Sequence, residues 1–212
     1  MGERREREVW VTFIEHPGSI VRDGWAQEPQ QWEFLRRARA LACGTWEPPS
    51  HTSLLAHCIL DPTFAQLQEW ERQLRLGDPT LTVDIECAGP HLTCVGLCRV
   101  RDLAGVCVRL RGPEGAKWWG VELPAVVEWL YHVLSDPSVP KWFHNGQSFD
   151  IPYLWFQGFE VGGYVGDTLL LQRYMFPEMG AELESCASFY AGVPAWKALA
   201  GEHNDDETGD SK

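Results

Sequence analysis

The chain has 212 residues, eleven Trp and nine Phe among them, so it can bury a substantial core, and this composition excludes a wholly disordered protein. Thirty acidic against 18 basic residues give a formal charge of −12, which works against long-range attraction to nucleic acid and predicts weak binding of polynucleotide by this chain alone. No apolar run approaches the length of a membrane span, and Met1 to Glu8 lacks the apolar segment of a signal peptide, so the expectation is a cytoplasmic protein with no membrane partner.

In chain order, Val9 to Ile14 reads as a strand, and Gln31 to Ala42 as a helix with Phe34, Leu35, Ala38 and Leu41 on one side. Residues 43–60, with Gly44, Pro48, Pro49 and Ser50, have the composition of a linker. A helix is expected to start at Asp61 as N-cap with Pro62 in its first turn, carrying the apolar stripe Phe64, Leu67, Trp70 and Leu74. Strands follow at about 80–87, 93–100 and 106–111. Seven cysteines without a Cys-x2-Cys pair argue against a disulfide framework or zinc ribbon, and Cys94 and Cys98, four apart on a strand and hence on one face, read as buried free thiols. Arg99, Arg101, Arg109 and Arg111 suit either phosphate contacts or surface ion pairs.

Val126, Val127, Leu130, Val133 and Leu134 mark a buried helical face. Lys141 to His144 forms the next strand, Asn145-Gly146 a turn, and a helix opens near Ser148, where Pro152 is tolerated because first-turn amides lack intrahelical partners. Asp150 then lies in the first turn, where the helix dipole is expected to favour an ionised carboxylate. Asp167 is expected to cap a helix from Thr168 to Phe176, ended by Pro177.

The chemistry concentrates in Leu81-Thr82-Val83-Asp84-Ile85-Glu86. Apolar residues alternate with Thr82, Asp84 and Glu86, which puts both acids on one face of a strand. Adjacent carboxylates repel unless a cation lies between them, and a hard divalent ion such as Mg²⁺ or Mn²⁺ removes that cost. Asp150 supplies a third acid from a second element; by itself it serves equally as a helix cap.

Asp84-Ile85-Glu86, Asn145 to Asp150, Gly166 to Leu171, Leu183 to Tyr190 and Trp196-Lys197 resemble, in order, the proofreading 3′-5′ exonuclease domain of phage-type family A DNA polymerases, within the four-acid (DEDD) exonuclease superfamily. The resemblance covers about residues 76–200. It implies an α/β, RNase H-like fold, a mixed sheet flanked by helices with a small N-terminal extension, and two-metal hydrolysis of the terminal phosphodiester of DNA. Asp84, Glu86 and Asp150 carry over as metal ligands, with Mg²⁺ or Mn²⁺ as cofactor; Asn145 and Phe149 are candidate contacts to the single-stranded 3′ end, and Tyr153 a stacking neighbour. The family's third motif, Tyr-x3-Asp or His-x4-Asp, is not matched: Tyr190 is followed four positions on by Pro194, and His203 five positions on by Thr208. The expectation is therefore an impaired exonuclease, or an inactive structural or split-polymerase subunit completed by a polymerase domain or a downstream polypeptide.

His16-Pro17-Gly18-Ser19 resembles the late motif of a uracil-DNA glycosylase-like domain and, without a glycosylase body, reads as a remnant. The expected organisation is thus a glycosylase-like remnant over 1–45, a linker over 46–62, an exonuclease domain over 63–200 and an acidic, disordered tail over 201–212.

Overall fold

The computed structural model describes residues 28–112 and 118–193. The expected strand at Val9 to Ile14, the His16-Pro17 segment, Trp196-Lys197 and the acidic tail lie outside the described residues. The chain divides into two units, one of residues 1–49 with 176–212 and one of residues 50–175.

In the first unit, helix α1 (Glu28–Ala42) runs where the periodicity places a helix, and a second helix spans Leu183–Ala191. Arg37 of α1 donates to the carbonyls of Ser188 and Phe189. Ser188 also accepts from the Gly192 cap amide at 3.1 Å, so the guanidinium adds a second donor there and complements the negative helix end. Gly192 closes that helix with φ of 68°, a left-handed cap that glycine adopts without penalty.

The second unit begins with α2 (His51–Leu55), β1 (Cys58–Ile59) and α3 (Phe64–Leu74). The stretch read as a linker thus contributes a helix and an edge strand, with the Gly105 amide donating to the His57 carbonyl at 2.9 Å. Helix α3 starts later than expected, because Thr63 rather than Asp61 is its N-cap. Thr63 Oγ1 accepts from the Gln66 amide at 3.3 Å and Gln66 Oε1 accepts from the Thr63 amide at 2.8 Å, a reciprocal capping box that satisfies two orphan donors. Asp61 instead pairs with Arg109 at 3.3 Å.

Strands β2 (Leu81–Ala88), β3 (His91–Arg99) and β4 (Gly105–Arg109) form an antiparallel meander, and α4 (Leu123–Ser135) leads to β5 (Lys141–Phe143), α5 (Asp150–Phe156), β6 (Tyr164–Asp167) and α6 (Thr168–Met175). The result is a six-stranded sheet of order β1-β4-β3-β2-β5-β6, antiparallel at β2–β3 and β3–β4 and parallel at β1–β4, β2–β5 and β5–β6. This mixed sheet flanked by helices is the architecture the resemblance implied.

One face of the sheet builds the core. Leu81, Val83 and Ile85 of β2, Val95 and Leu97 of β3, and Val106 and Val108 of β4 form one apolar cluster with Leu67, Trp70 and Leu74 of α3 and Val126, Leu130, Val133 and Leu134 of α4. Each fully buried Leu or Val contributes about 1.5–3 kcal/mol of transfer free energy, so this face, not the acidic one, holds the fold together. Among the described residues no helix is long and apolar enough to cross a membrane.

Candidate active site

Strand pairing fixes which residues share the opposite face. Asp84 stands across from Gly96 and Glu86 across from Cys94; Gly96 in turn opposes Cys107, and Cys94 opposes Arg109. Directly paired residues point the same way, so Thr82, Asp84 and Glu86 share one surface with Cys94, Cys98, Cys107 and Arg109. Asp84 and Glu86 are exposed, as the alternation predicts. On the other flank Trp142 of β5 opposes Thr82, and β6 opposes Trp142 with Gly166, where a Cβ would meet the Trp142 ring at 2.3 Å. Trp142 on the acidic face was missed by the sequence reading, although the alternation from Lys141 to His144 contains it.

Asp150 reaches this surface from α5. Strands β2 and β5 pair only at Leu81 with Lys141 and Thr82 with Trp142, which leaves the β5-facing edge of β2 open beyond that point. The Ile85 amide on that edge donates to Asp150 Oδ1 at 3.1 Å. Two further bonds fasten α5 to the β2–β3 turn: Tyr153 Oη donates to the Gly89 carbonyl at 2.9 Å and Gln157 Nε2 to the Pro90 carbonyl at 2.8 Å. Asp150 is 3% exposed. Its carboxyl is pushed up to about 6, first by burial and then by the neighbouring Asp84 charge, while its own amide and that of Ile85 oppose the rise. The helix start does favour the ionised form through the Asp150 amide, but α5 has only 7 residues and desolvation outweighs that contribution. Asp84 is also raised, first by partial desolvation of its carboxyl and second by Glu86. Glu86 thus opposes the charge of Asp84, and Asp84 that of Asp150.

The turn that delivers Asp150 is built on Asn145, whose φ of 66° is a left-handed value that Asn tolerates better than most residues. Its carbonyl accepts from the Ser148 and Phe149 amides at 3.1 Å each, and its own amide donates to Asp167 Oδ1 at 2.9 Å. Asp167 Oδ1 also accepts from the Leu169 amide at 2.9 Å, so the expected cap of α6 is present. Asp167 thus clamps the turn before α5 as well as the start of α6, a link the sequence reading did not contain. Its Oδ2 is buried without a hydrogen-bond partner among the described residues.

Phe149, just ahead of Asp150, is 46% exposed, and its ring centroid lies 5.9 Å from that of Tyr153. Three of the four strand-region arginines are engaged in ion pairs. Arg99 is buried against Asp102 at 2.8 Å, Arg101 approaches Asp102 at 3.6 Å, and Arg109 pairs with Asp61 while its guanidinium lies 5.0 Å from the Trp118 ring centre. Cys94 and Cys98 are half-buried on the acidic face rather than enclosed in the core, as the sequence reading had them.

The donor set, carboxylate oxygens only, fits a hard divalent cation in its chemistry. The described residues do not bring it to closure: no group of three or more His, Cys, Asp or Glu side chains among them is positioned to hold a metal ion.

No family model and no curated protein matches the sequence. Solved structures do. RNase D of Trypanosoma brucei, in a complex with GMP, aligns at 16% identity and a TM-score of 0.51 over 70% of this chain and 46% of its own. The POL domain of Pol1 from M. smegmatis, in complex with DNA primer-template and dNTP, aligns at 19% identity and 0.52 over 66% of this chain and 24% of its own. The exonuclease domain of EXD2, soaked in Mg and GMP, aligns at 23% and 0.41 over 73% and 77%. The chain therefore spans less than half of that RNase D and about a quarter of that polymerase chain. The fold is the RNase H-like fold, shared with these structures.

Proposed function

We propose that this chain is the metal-dependent 3′-5′ exonuclease (proofreading) part of a phage-type DNA polymerase, acting on a single-stranded DNA 3′ end. The observation that carries the reading is the docking of the Asp150 carboxylate on the Ile85 amide, between the two residues whose acids line the open face of β2. Asp84, Glu86 and Asp150 would hold Mg²⁺ or Mn²⁺, with the exposed Asp84 and Glu86 side chains turning toward Asp150. When bound, such ions supply the positive charge that phosphodiester displacement by water requires. The chain's own part is positional. The Asn145 turn and the α5 contacts hold Asp150 at the strand edge, and the half-exposed Phe149, backed by Tyr153, offers a terminal base an aromatic surface on which stacking contributes about 1–3 kcal/mol.

The test is nucleotide release from the 3′ end of single-stranded DNA with Mg²⁺ or Mn²⁺, comparing the chain with its Asp84→Ala variant. Release that depends on metal and vanishes in the variant is the expected result; equal background in both proteins overturns it. A second reading, an inactive structural or split-polymerase subunit, rests on the unmatched third motif, with Pro194 four positions after Tyr190 and Thr208 five after His203. Under it, activity appears only when the polypeptide carrying a Tyr-x3-Asp motif is added.

A further inference from the structure

The acidic face carries a second chemical group that the exonuclease reading leaves unused. Cys94 Sγ and Cys107 Sγ lie 3.0 Å apart across β3 and β4. The two residues are not directly opposed: Cys107 faces Gly96, and Cys94 faces Arg109. Gly96 has no side chain, so nothing stands between the Cys107 thiol and the diagonal neighbour it leans toward. Both cysteines are half-buried on the sheet face opposite the core and lie within reach of small solutes.

We propose that Cys94 and Cys107 form a reactive dithiol, a site oxidised to an intramolecular disulfide by hydroperoxides. Closure from 3.0 Å to a bond of about 2.05 Å requires a movement of about an ångström, within the reach of two side-chain rotations and a slight tightening of the strand pair. The division of labour follows from the surroundings. Cys107 is the nucleophile: the bond between the two thiols favours the thiolate of one of them, and the Arg109 guanidinium beside Cys107 selects it, against burial. The Cys107 thiolate attacks one peroxide oxygen, the O–O bond breaks, and the leaving oxygen departs as hydroxide that takes up a proton to become water. Cys94 sulfur then attacks the Cys107 sulfenic acid, the S–O bond breaks, and a second water leaves. In sum two thiols lose two electrons and two protons, and one hydrogen peroxide becomes two waters. The new bond would lie one strand across from Glu86, the direct partner of Cys94. None of this depends on nuclease activity.

The full chain, reduced and then exposed to equimolar hydrogen peroxide, is alkylated, cut with trypsin and analysed by mass spectrometry. The peptide Asp102–Arg109 carries Cys107 alone, whereas Leu76–Arg99 carries Cys87, Cys94 and Cys98, so fragmentation assigns the partner. The expected result is a Cys94–Cys107 link that forms before oxidation of the exposed Cys43, unchanged in Cys98→Ser. In Cys94→Ser the same treatment should leave a Cys107 sulfenic acid that dimedone traps. The proposal is overturned if Cys107 stays unmodified while other cysteines oxidise, if its partner is Cys87, Cys98 or another chain, or if dimedone labels nothing at Cys107 in Cys94→Ser.

Discussion

The Ile85 amide and the Asp150 carboxylate, 65 residues apart in sequence, are joined by a hydrogen bond of 3.1 Å. This bond places an acid on a strand edge that no other strand covers, and it does so without neutralising the acid, since a backbone N–H carries only a partial charge. A lysine or arginine partner would have pulled the carboxyl down. Here burial and Asp84 prevail, and Asp150 stays at about 6.

That balance has a cost in stability. The folded-state value lies above the ordinary 3.8, so between roughly pH 4 and 6 the folded protein binds more protons than the unfolded one, and stability falls as pH rises through that window. The loss is complete above the folded value and amounts to an order of 2–3 kcal/mol. Asp84, raised in the same direction, adds to the slope. Asp150→Asn keeps the oxygen that Ile85 needs and removes the charge. In urea unfolding with EDTA present, the variant should be more stable than the wild type at pH 7 by about 1–3 kcal/mol and no more stable at pH 4. Equal stability at pH 7 would contradict the assignment.

The same proton competes with a cation. Mn²⁺ at about a hundred times its dissociation constant stabilises by ~2.7 kcal/mol, which for a chain of this size raises Tm by roughly 5–10 °C. The shift should be present at pH 7.5, shrink as pH falls through about 6 where Asp150 takes up its proton, and be absent in Asp84→Ala at every pH. Thermal scans with and without the ion measure it.

What the sequence made legible follows the regular patterns. Alternation in Leu81 to Glu86 showed both the strand and its acidic face, because a period of two depends on neighbours alone. The turn at Asn145 and the cap at Asp167 carried the residue types such positions demand. Beyond Trp142 and the Asp167 link to the Asn145 turn, three features escaped it. Strand β1 has two residues in a Pro-containing stretch, too few to establish a period, and pairs Cys58 with Gly105, where a Cβ would meet the Cys58 sulfur at 2.9 Å. The N-cap at Thr63 displaced Asp61 because Gln66 completes a capping box only with Thr63. The nearness of Cys94 to Cys107 depends on the register of β3 with β4, which side-chain alternation leaves undetermined.

Asp167 separates geometry from charge. Its Oδ1 receives the Asn145 and Leu169 amides, so Asp167→Ala leaves both without an acceptor and should lower stability by about 2–3 kcal/mol, taking the Asp150 turn with it. Asp167→Asn retains an acceptor oxygen and should keep most of that stability. Denaturant midpoints of the two variants check the ordering, and an Asn variant as unstable as the Ala variant would mean that the second carboxylate oxygen, buried and unpaired, carries a role of its own.

Lys141 is fully buried, and its Nζ donates to the carbonyls of Asp136, Val139 and Gly162, each at 2.9 Å. Replacing a buried ion pair with apolar residues is often harmless, because both charges leave together. Here the acceptors are backbone carbonyls, which no side-chain substitution removes. Lys141→Met fills a similar volume but takes the ammonium from the Val139 and Gly162 carbonyls, each left with a desolvation cost of about 1–3 kcal/mol, softened where water enters, while the Asp136 carbonyl keeps the Val139 amide at 3.3 Å. A total loss of about 3–5 kcal/mol is expected in urea unfolding. Lys141→Arg keeps a donor but must fit a larger planar head into a site with no exposed surface, so it should recover only part of the loss. If Met were tolerated within 1 kcal/mol, the carbonyls would have to find other donors, and the ammonium would be filling space rather than joining the strand to its neighbours.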